Sequence, residues 1–439
     1  MSESTLPGDS RSTLSSTELE EMSCPIDRCY PDIQHQEDPE APPEGGYGWV
    51  CVAATFLINA HTWGINSAYG VILAFYLSDH TFPGTTALDY AFVGGLSIAC
   101  AMLVSPLATA LVHHCGISVT IVIGAVFEAV SLITTSFVGR NWQLFLSQGI
   151  CFGIGMGLCF IGSVGVTSHW FEKRRSLVNG IAAAGSGIGG LTYSLATGAM
   201  IPRLDFPWTM RILGIICFAV NLSCGSLLRL PPKEKQRSKG AAMRFSVLRN
   251  VQYNILLAWA FLSSMAYVVL LFSLSSYAVA IGLTQHQGSI ASALLNLGQA
   301  FGRPGVGVLS DKLGRFNVAL AATFLSGFFC FVFWVFAKSM VALCFFAMVI
   351  GLVAGTLWAT AAPLAAEVVG LGNMSSALGV LWLVLGPPTA VAEAIAVKLR
   401  DNETDEYPYL RVQMFAGAMY VSAALCLALL KYMRFSAKK

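Results

Sequence analysis

Charged residues are scarce in this sequence. Only 11% of the 439 residues are Asp, Glu, Lys or Arg, and 55% are hydrophobic, whereas about one quarter of a soluble protein is charged. The net charge of +2 also gives no strongly basic surface of the kind that attracts nucleic acid. The composition therefore argues against a soluble or nucleic-acid-binding protein, and it predicts that most of the chain lies in a lipid bilayer.

Motifs for catalysis and for ATP hydrolysis are also missing. The glycine-rich runs at 153–157 and 185–190 imitate nucleotide-binding loops, but no Gly-Lys-Ser/Thr sequence, which would cradle phosphates, occurs in the chain. All cysteines except Cys24 and Cys29 lie within or beside hydrophobic runs, where they are typical packing residues. We therefore predict neither an enzyme nor an ATP-driven pump, and no metal or cofactor.

Hydrophobic runs long enough to cross a bilayer, which takes about 20 residues, occur twelve times along the chain. Before them, residues 1–47 are rich in Ser, Thr, Glu, Asp and Pro, which predicts a disordered cytosolic tail, and no cleavable signal peptide is visible there. The first six runs occupy 48–230, a basic linker follows at 231–250, the second six runs occupy 251–434, and 435–439 form a short tail. The sequence thus predicts an all-α membrane protein with twelve transmembrane helices in two six-helix halves.

Lysine and arginine are concentrated in one set of loops. Lys173, Arg174 and Arg175 lie between the fourth and fifth runs, and further basic residues fill the linker. Since basic loops stay on the cytoplasmic side of a membrane, we predict a multi-pass protein of the plasma membrane with both termini in the cytosol. The acid-rich stretch 401–406 then faces outside, and Asn402 begins a candidate glycosylation sequon there.

Three short motifs resemble signatures of known membrane transporters. The stretches from Trp170 to Ser186 and from Glu44 to Trp49 resemble the two signatures of the monocarboxylate transporter family, which belongs to the major facilitator superfamily. The stretch from Gly302 to Arg315 is similar to the inner loop motif of the superfamily. The resemblance implies the major facilitator fold and a secondary transporter that exposes one central site alternately to the two sides of the membrane.

Charged residues in these motifs are candidates for gating. The resemblance implies that Asp311 can meet helix N-termini and cations at the inner face and thereby latch one conformation. The gating candidates are Asp311, Arg315, Lys173, Arg174 and Arg175. The alternative is an ordinary charged loop without a gating role.

Arg303 is the most informative single residue. At about 1.5 Å of rise per residue it lies roughly 12 Å from Asp311, inside the predicted span, and an arginine in the membrane usually faces a cavity or a partner. Asn296, Gln299 and Arg303 lie on one helix face. The position of Arg303 before Pro304 resembles that of the family's eighth-helix arginine, which implies contact with a substrate carboxylate. The alternative is a structural bond to carbonyl groups of neighbouring helices.

A second polar stripe marks the first predicted helix. Its residues recur at spacings of three and four, so they share one face: Asn59, Thr62, Trp63, Asn66, Tyr69 and Gly70. Polar residues on one face of a spanning helix either line a cavity or hold helices together, and the sequence leaves both roles open. The candidate substrate contacts are Trp63, Asn66 and Tyr69 here and Asn296, Gln299 and Arg303 on the eighth helix.

The residues that carry protons in proton-coupled relatives are absent. Gln299 stands where the resemblance implies an aspartate, and Ser67 stands where it implies a lysine. Glu128 and Glu393 lie within hydrophobic runs, where a carboxyl group can carry a proton near neutral pH or can form a structural hydrogen bond. We therefore expect facilitated diffusion, or proton coupling through Glu128 or Glu393.

The sequence predicts a transporter for a small organic metabolite, either an anion or a secondary metabolite, and the lipid bilayer is its other predicted partner. The run from His61 to Val71 is similar to fungal family members, which include riboflavin facilitators and exporters of secondary metabolites. We favour efflux. The alternatives are an uptake facilitator for a monocarboxylate or a riboflavin-like nutrient and, in another class, a membrane sensor that keeps the transporter fold.

Overall fold

A computed structural model describes five stretches of the chain, residues 45–79, 85–171, 173–231, 245–400 and 409–436. Within them the chain is helical apart from short connections, and they belong to one compact unit, Pro42–Lys439. Residues 1–44 of the predicted disordered tail, most of the predicted linker and the sequon at Asn402 lie outside the described residues.

The first half begins with four helical spans, α1 to α4. The first span, α1, is built from three pieces, Gly48–His61, Trp63–Ser67 and Tyr69–Asp79, and α2 is built from two, Ala87–Leu103 and Ser105–Cys115. The third span, α3, is Ile117–Thr135. The fourth, α4, consists of Asn141–Leu144, the π-helical Phe145–Cys151, Phe152–Val164 and Val166–Trp170.

The fifth and sixth spans form one long helix, Arg175–Leu227, that is broken in its middle. Asp205 has a positive φ of 64°, and Pro202 and Pro207 lie on either side of it. Since proline cannot donate the backbone hydrogen bond that continues a helix, this segment divides the helix into α5, residues 175–204, and α6, residues 206–227.

The second half contains six further spans, α7 to α12. They are Val251–Ala280 (α7), Gln285–Leu313 (α8), Arg315–Phe329 with the π-helical Cys330–Trp334 (α9), Met340–Ala354 with Thr356–Val369 (α10), Met374–Leu399 (α11) and Leu410–Ser436 (α12). Short 3-10 turns, Phe245–Arg249 and Leu371–Asn373, precede α7 and α11.

Length and hydrophobicity alone identify fewer spans than this. Within the described residues, eight helices are long and apolar enough to cross a membrane, or nine when the two pieces of α2, bent by 42°, count as one span. The other spans do not meet this criterion because α1 is interrupted twice, α8 carries many polar residues, and α5 and α6 are continuous. With these included, the described residues contain twelve transmembrane helices in two halves of six, so the predicted fold class is confirmed.

The two halves meet along two helix pairs, α5 with α8 and α2 with α11. Glycine lets α5 and α8 approach closely: a Cβ atom at Gly180 would lie 2.5 Å from the carbonyl oxygen of Arg303, and one at Gly187 would lie 2.6 Å from that of Asn296. Both distances are far below van der Waals contact. The small residues spaced four apart in α5 therefore have the packing role that the sequence predicts.

Two of the motifs quoted above lie against each other in the fold. The ring centroids of Tyr47 and Trp170 are 6.0 Å apart, and those of Trp49 and Phe171 are 5.1 Å apart. The Tyr47 hydroxyl also donates a hydrogen bond to the carbonyl oxygen of Leu227 at 2.7 Å. These contacts hold the beginning of α1 and the end of α6 beside the α4–α5 connection.

Candidate substrate site

A small cavity lies between the two halves. Its wall includes Trp63 of α1, Phe160 of α4, Arg303 of α8 and Trp358 of α10. The cavity volume is about 30 Å³, which is room for roughly one or two water molecules. The structure therefore describes a closed state, and the halves must move apart before a metabolite can enter.

Arg303 is held in this cavity by neutral groups. Its Nη1 donates to the carbonyl oxygen of Ala183 at 2.6 Å and to Oγ of Ser186, both in α5. Its Nη2 donates to Oε1 of Gln299 at 2.5 Å and to the hydroxyl oxygen of Tyr267 at 3.3 Å. Tyr267 in turn donates to the same oxygen of Gln299 at 2.8 Å. The guanidinium group thus links α5, α7 and α8.

No carboxylate contacts Arg303 among the described residues. The side chain is buried, and its Nε and the Nε2 of Gln299 have no hydrogen-bond partner in that part of the chain. The Arg303 side chain packs directly against Gly355 of α10, because a Cβ atom there would lie 2.9 Å from Nε. A buried cation without a counter-ion is costly, and a guanidinium group can bind a carboxylate through two parallel hydrogen bonds. The arrangement is therefore suited to an organic anion.

Five aromatic rings form a cluster at the cavity, four of them in its wall and Trp382 behind them. The ring centroid of Trp358 lies 5.0 Å from that of Trp63, 5.9 Å from Tyr267, 6.3 Å from Phe160 and 5.9 Å from Trp382, on which it stacks. Trp63 and Phe160 belong to the first half, and the other three rings belong to the second. We call these five rings the aromatic cluster, and its contacts cross the interface between the halves.

Glu128 of α3 lies inside the first half and is not part of the cavity wall. Its Oε2 accepts hydrogen bonds from Nδ2 of Asn221 at 2.8 Å and from the thiol of Cys217 at 3.2 Å, both in α6. Its Oε1 has no partner among the residues that the structure describes. Glu128 therefore joins α3 to α6 through neutral groups.

Glu393 of α11 lies inside the second half. Both of its carboxyl oxygens accept from Oγ of Ser273 in α7 at 3.2 Å, and the side chain is buried. It is absent from the cavity wall as well. Neither of the two carboxyl groups predicted for proton coupling therefore contacts Arg303 or the cavity.

A network of charges joins the halves at one end of the bundle. Asp311, near the end of α8, accepts hydrogen bonds from the backbone N–H groups of Ser176 and Leu177 at 3.4 and 3.0 Å, at the N-terminus of α5, where negative charge is favourable. Arg315 of α9 lies 3.7 Å from Asp311 and 3.1 Å from Glu367 of α10. Asp311 thus makes the contact with a helix N-terminus that the sequence predicts, and its role as a latch stays a prediction.

The α4–α5 connection lies at the same end of the bundle. Lys173 and Arg174 are exposed there, whereas Arg175 is buried and its Nε donates to the carbonyl oxygen of Phe171 at 3.3 Å. We call this end the basic face. The three basic residues of the motif therefore have two kinds of surroundings, and only Arg175 is packed into the fold.

A family model described as "Major Facilitator Superfamily" matches residues 51–392. The chain belongs to this superfamily. It is a multi-pass membrane protein and a secondary transporter of small organic molecules, as the sequence predicts.

Relatives and a solved structure agree with membership of the superfamily. The chain is 33% identical over 393 residues to the "Probable transporter MCH2" of Saccharomyces cerevisiae, which covers 89% of this chain and 83% of that protein. It is 25% identical over 383 residues to the "Agnestins efflux protein AgnL12" of Paecilomyces divaricatus, which covers 87% of each. The crystal structure of the human organic anion transporter MFSD10 matches its fold with a TM-score of 0.63 at 14% identity, over 87% of this chain and 100% of that one.

The α8 stripe of this major facilitator protein is only partly assembled around the cavity. Gln299 contacts Arg303, as the shared helix face predicts. The Nδ2 of Asn296 instead donates to the carbonyl oxygen of Ser292 in its own helix at 3.1 Å, and its side chain packs against Gly190 of α5. Arg303 and Gln299 are therefore together, and Asn296 lies at the helix interface.

The first-helix stripe of the transporter divides between the two roles that the sequence left open. Trp63 lines the cavity. Asn66 donates to Oγ of Ser97 at 2.8 Å, and the Tyr69 hydroxyl donates to the carbonyl oxygen of Tyr90 at 2.9 Å, both in α2. In this closed state Trp63 is the cavity residue of the three, while Asn66 and Tyr69 hold α1 to α2.

Sequence reasoning missed the aromatic side chains that the second half brings to the site. Tyr267 lies on α7 and Trp358 on α10, far from the motifs that carry the resemblance to transporters. One signal for Trp358 was present: it is a large ring with a polar N–H in a stretch of small residues, from Ala354 to Ala362. Phe160 on α4 has no polar stripe beside it of the kind that marks α1 and α8, so no signal in the sequence pointed to it.

Proposed function

We propose that this transporter moves small organic anions through the cavity at Arg303, which it exposes alternately to the two sides of the membrane. The observation that carries the proposal is a buried guanidinium group in a cavity between the halves that contacts only neutral groups among the described residues. A carboxylate substrate would supply the missing counter-charge and an acceptor oxygen for Nε–H, which has no partner among the described residues.

A purely structural role for Arg303 is the competing hypothesis. Its hydrogen bond to the carbonyl oxygen of Ala183 links α8 to α5, as such a role requires. The bonds within the protein use Nη1 and Nη2, whereas Nε has no partner among the described residues. This unpaired donor favours a site for a ligand.

The charges at the basic face support a mechanism of alternating access. Asp311 and Arg315 of the second half both contact the start of α5 in the first half, since Nε of Arg315 donates to Oγ of Ser176 at 3.2 Å. The halves cannot separate at this face unless these contacts break. We therefore assign Asp311 the role of a latch for the state that is closed at the basic face.

The proposal also includes the orientation of the chain in the membrane, its branch of the superfamily and the direction of transport. The basic face would be cytosolic in the plasma membrane, with both termini on that side, because basic loops remain in the cytosol. The motifs from Glu44 to Trp49 and from Trp170 to Ser186 favour the monocarboxylate transporter-like branch. Efflux is the favoured direction, because a relative that matches most of the chain is named an efflux protein. Transport would be facilitated diffusion, or coupled to protons through Glu128 or Glu393.

Substitutions of arginine test the anion site. Uptake of radiolabelled lactate, benzoate and 2-naphthoate is measured in proteoliposomes that contain the purified full chain. Arg303→Ala should abolish uptake. Arg303→Lys keeps the charge but loses the paired N–H donors, and we expect uptake to fall about tenfold, which corresponds to roughly one hydrogen bond to a charged group.

The matched control is Arg211→Lys in α6. The Arg211 guanidinium lies over the rings of Phe137 and Trp208 at 4.6 and 5.0 Å, away from the cavity wall. This variant should transport at the rate of the unsubstituted chain. Unchanged uptake by correctly folded Arg303→Ala would refute the proposed site.

A further inference from the structure

The aromatic cluster lies across the interface at which the halves must separate. Across it, the ring centroid of Trp63 is 5.0 Å from that of Trp358, and the ring centroid of Phe160 is 5.1 Å from that of Trp382. The first contact is tilted by 48° and the second is edge-on, with an interplanar angle of 69°. Opening the cavity breaks both contacts and exposes the rings on both halves. A flat aromatic ligand between the separated rings would contact both sides with its two faces, which water cannot do.

Indole N–H groups of the cluster lack acceptors. Trp63, Trp358 and Trp382 supply three of the four buried indole N–H groups that have no partner in the described part of the chain. The buried Trp259, by contrast, donates to Oγ1 of Thr323 at 3.2 Å. Because an unpaired buried donor is costly, the two in the cavity wall, those of Trp63 and Trp358, indicate an occupant. A ligand that carries oxygen atoms on or beside its ring would supply the acceptors.

Tyr267 connects the aromatic cluster to the arginine. Its ring centroid lies 5.9 Å from that of Trp358, and its hydroxyl oxygen lies 3.3 Å from Nη2 of Arg303. On α10, Gly355, against which Nε of Arg303 packs, precedes Trp358 by about one helical turn. The Arg303 cation therefore lies beside the aromatic rings. An aromatic acid has the matching arrangement, because its carboxylate lies beside its ring.

We propose that the substrates of this transporter are planar aromatic carboxylates. The ring inserts between Trp63 and Phe160 on one side and Trp358 on the other, and the carboxylate binds Arg303. The inference rests on the proposed anion site and adds the chemical class of the anion. A cluster that served only to pack the helices would not favour an aromatic ligand over a saturated one of similar size and the same charge.

Two matched probes test the proposal, 2-naphthoate and its saturated analogue decahydro-2-naphthoate. Both carry one carboxylate on a fused two-ring frame, and only the first has aromatic faces. Binding of tritiated 2-naphthoate is measured by scintillation proximity with the purified full chain in nanodiscs, and the saturated acid is measured by competition. We expect the unsubstituted chain to bind 2-naphthoate about tenfold more tightly than the saturated acid, the effect of roughly one or two aromatic contacts.

Three variants assign this preference to the cluster. Trp358→Leu should reduce the tenfold ratio to less than about threefold, and Trp358→Phe, which keeps a ring, should retain most of it. Trp63→Leu, in the other half, should reduce the ratio as well, and it provides a second measurement if Trp358→Leu does not fold. The control is Trp142→Leu, whose side chain is 57% exposed on α4 and should leave the ratio unchanged.

The outcomes separate this inference from the anion site on which it rests. Equal binding of the two acids, or a ratio that does not change in Trp358→Leu and Trp63→Leu, would overturn the aromatic substrate class. If Arg303→Ala then abolished binding of both acids, the anion site would survive that result. Unchanged affinity for 2-naphthoate in Arg303→Ala, with the ratio still dependent on Trp358, would refute the anion site and retain the aromatic site. Absence of saturable binding of either acid would refute both.

Discussion

Arg303 and Arg315 lie at the two ends of one charged motif and have opposite surroundings. Arg315, at the basic face, lies within 4 Å of two carboxylates, those of Asp311 and Glu367, and 18% of its side chain is exposed. Arg303, deeper in α8, is 5% exposed and contacts a carbonyl group, two hydroxyl groups and an amide. The charges are paired at the surface of the bundle and kept apart in its interior.

The difference explains how two arginines of one motif, one in α8 and one at the start of α9, can serve different steps of transport. The charge of a paired cation is already compensated by a carboxylate. Such a cation therefore stabilises a contact between protein segments, here the contact that closes the basic face. An unpaired interior cation attracts whichever anion enters, because partial charges of neutral groups compensate it incompletely. Glu128 and Glu393 follow the interior pattern, since among the described residues each accepts hydrogen bonds only from neutral side chains of its own half.

Placing a carboxylate beside the interior cation, Arg303, should have the largest effect on substrate affinity. In Ser186→Asp, a carboxylate would replace the hydroxyl group that accepts from Nη1 of Arg303, so Arg303 would resemble Arg315. The internal carboxylate would compete with every substrate anion, and we expect the affinity for 2-naphthoate to fall about 100-fold, the size of a lost buried charge contact. Scintillation proximity binding measures this change.

The neutral variant Ser186→Asn is the control for that substitution. It is nearly isosteric with aspartate but adds no charge, so its affinity should fall far less than that of Ser186→Asp. Equal losses in the two variants would mean that shape rather than charge is responsible, and that Arg303 is not the group that binds the anion.

Removing a charge from the basic face should have an intermediate effect. Asp311→Asn keeps an oxygen that can accept from the start of α5 but loses the attraction to that helix N-terminus and to Arg315. These two terms together amount to about 1.5 kcal/mol, so the state open at the basic face should become about tenfold more populated. The measurement is the rate at which a maleimide applied at the basic face labels Thr55→Cys, a position in the cavity wall.

The control for the latch is Asp89→Asn at the beginning of α2. Asp89 also accepts at a helix N-terminus, from the N–H of Thr86 at 2.7 Å, but that contact lies within one half. It should leave the labelling rate unchanged. A labelling rate in Asp311→Asn equal to that of the parent Thr55→Cys chain would contradict the assignment of Asp311 as a latch.

Neutralising the interior carboxyl groups should have the smallest effect. Glutamine has nearly the shape of glutamate, and both side chains contact only neutral groups, so Glu128→Gln and Glu393→Gln should change uptake of 2-naphthoate by less than about twofold. Uptake is compared in proteoliposomes with and without an imposed pH gradient. Proton-driven accumulation that is lost in one of the variants would instead identify that residue as the coupling site.

Properties that depend on one segment at a time were predictable. Twelve hydrophobic runs gave the twelve spans because the length needed to cross a bilayer is set by the bilayer itself. The small residues of α5 predicted close packing, and Gly180 and Gly187 indeed face the backbone of α8. The break in the long helix at Asp205 lies between two prolines, which are also visible in the sequence.

Properties that depend on which helices become neighbours were only partly predictable. Residues three or four apart share a helix face, but the face alone does not say what lies opposite. Gln299 and Asn296 share a stripe, yet one faces the guanidinium of Arg303 and the other packs against α5. Asn66 and Tyr69 likewise share a stripe with Trp63 but bond to α2.

By itself the sequence determined that the chain spans a membrane, where its spans lie, and that Arg303 must sit among them, because hydrophobicity and charge act locally on each segment. Only the tertiary structure decided that Arg303 has no carboxylate beside it among the described residues, and that rings from α1, α4, α7, α10 and α11 gather next to it. Five helices contribute to that cluster from distant parts of the chain. Their mutual rotation is set by the packing of all spans together, which no single segment encodes.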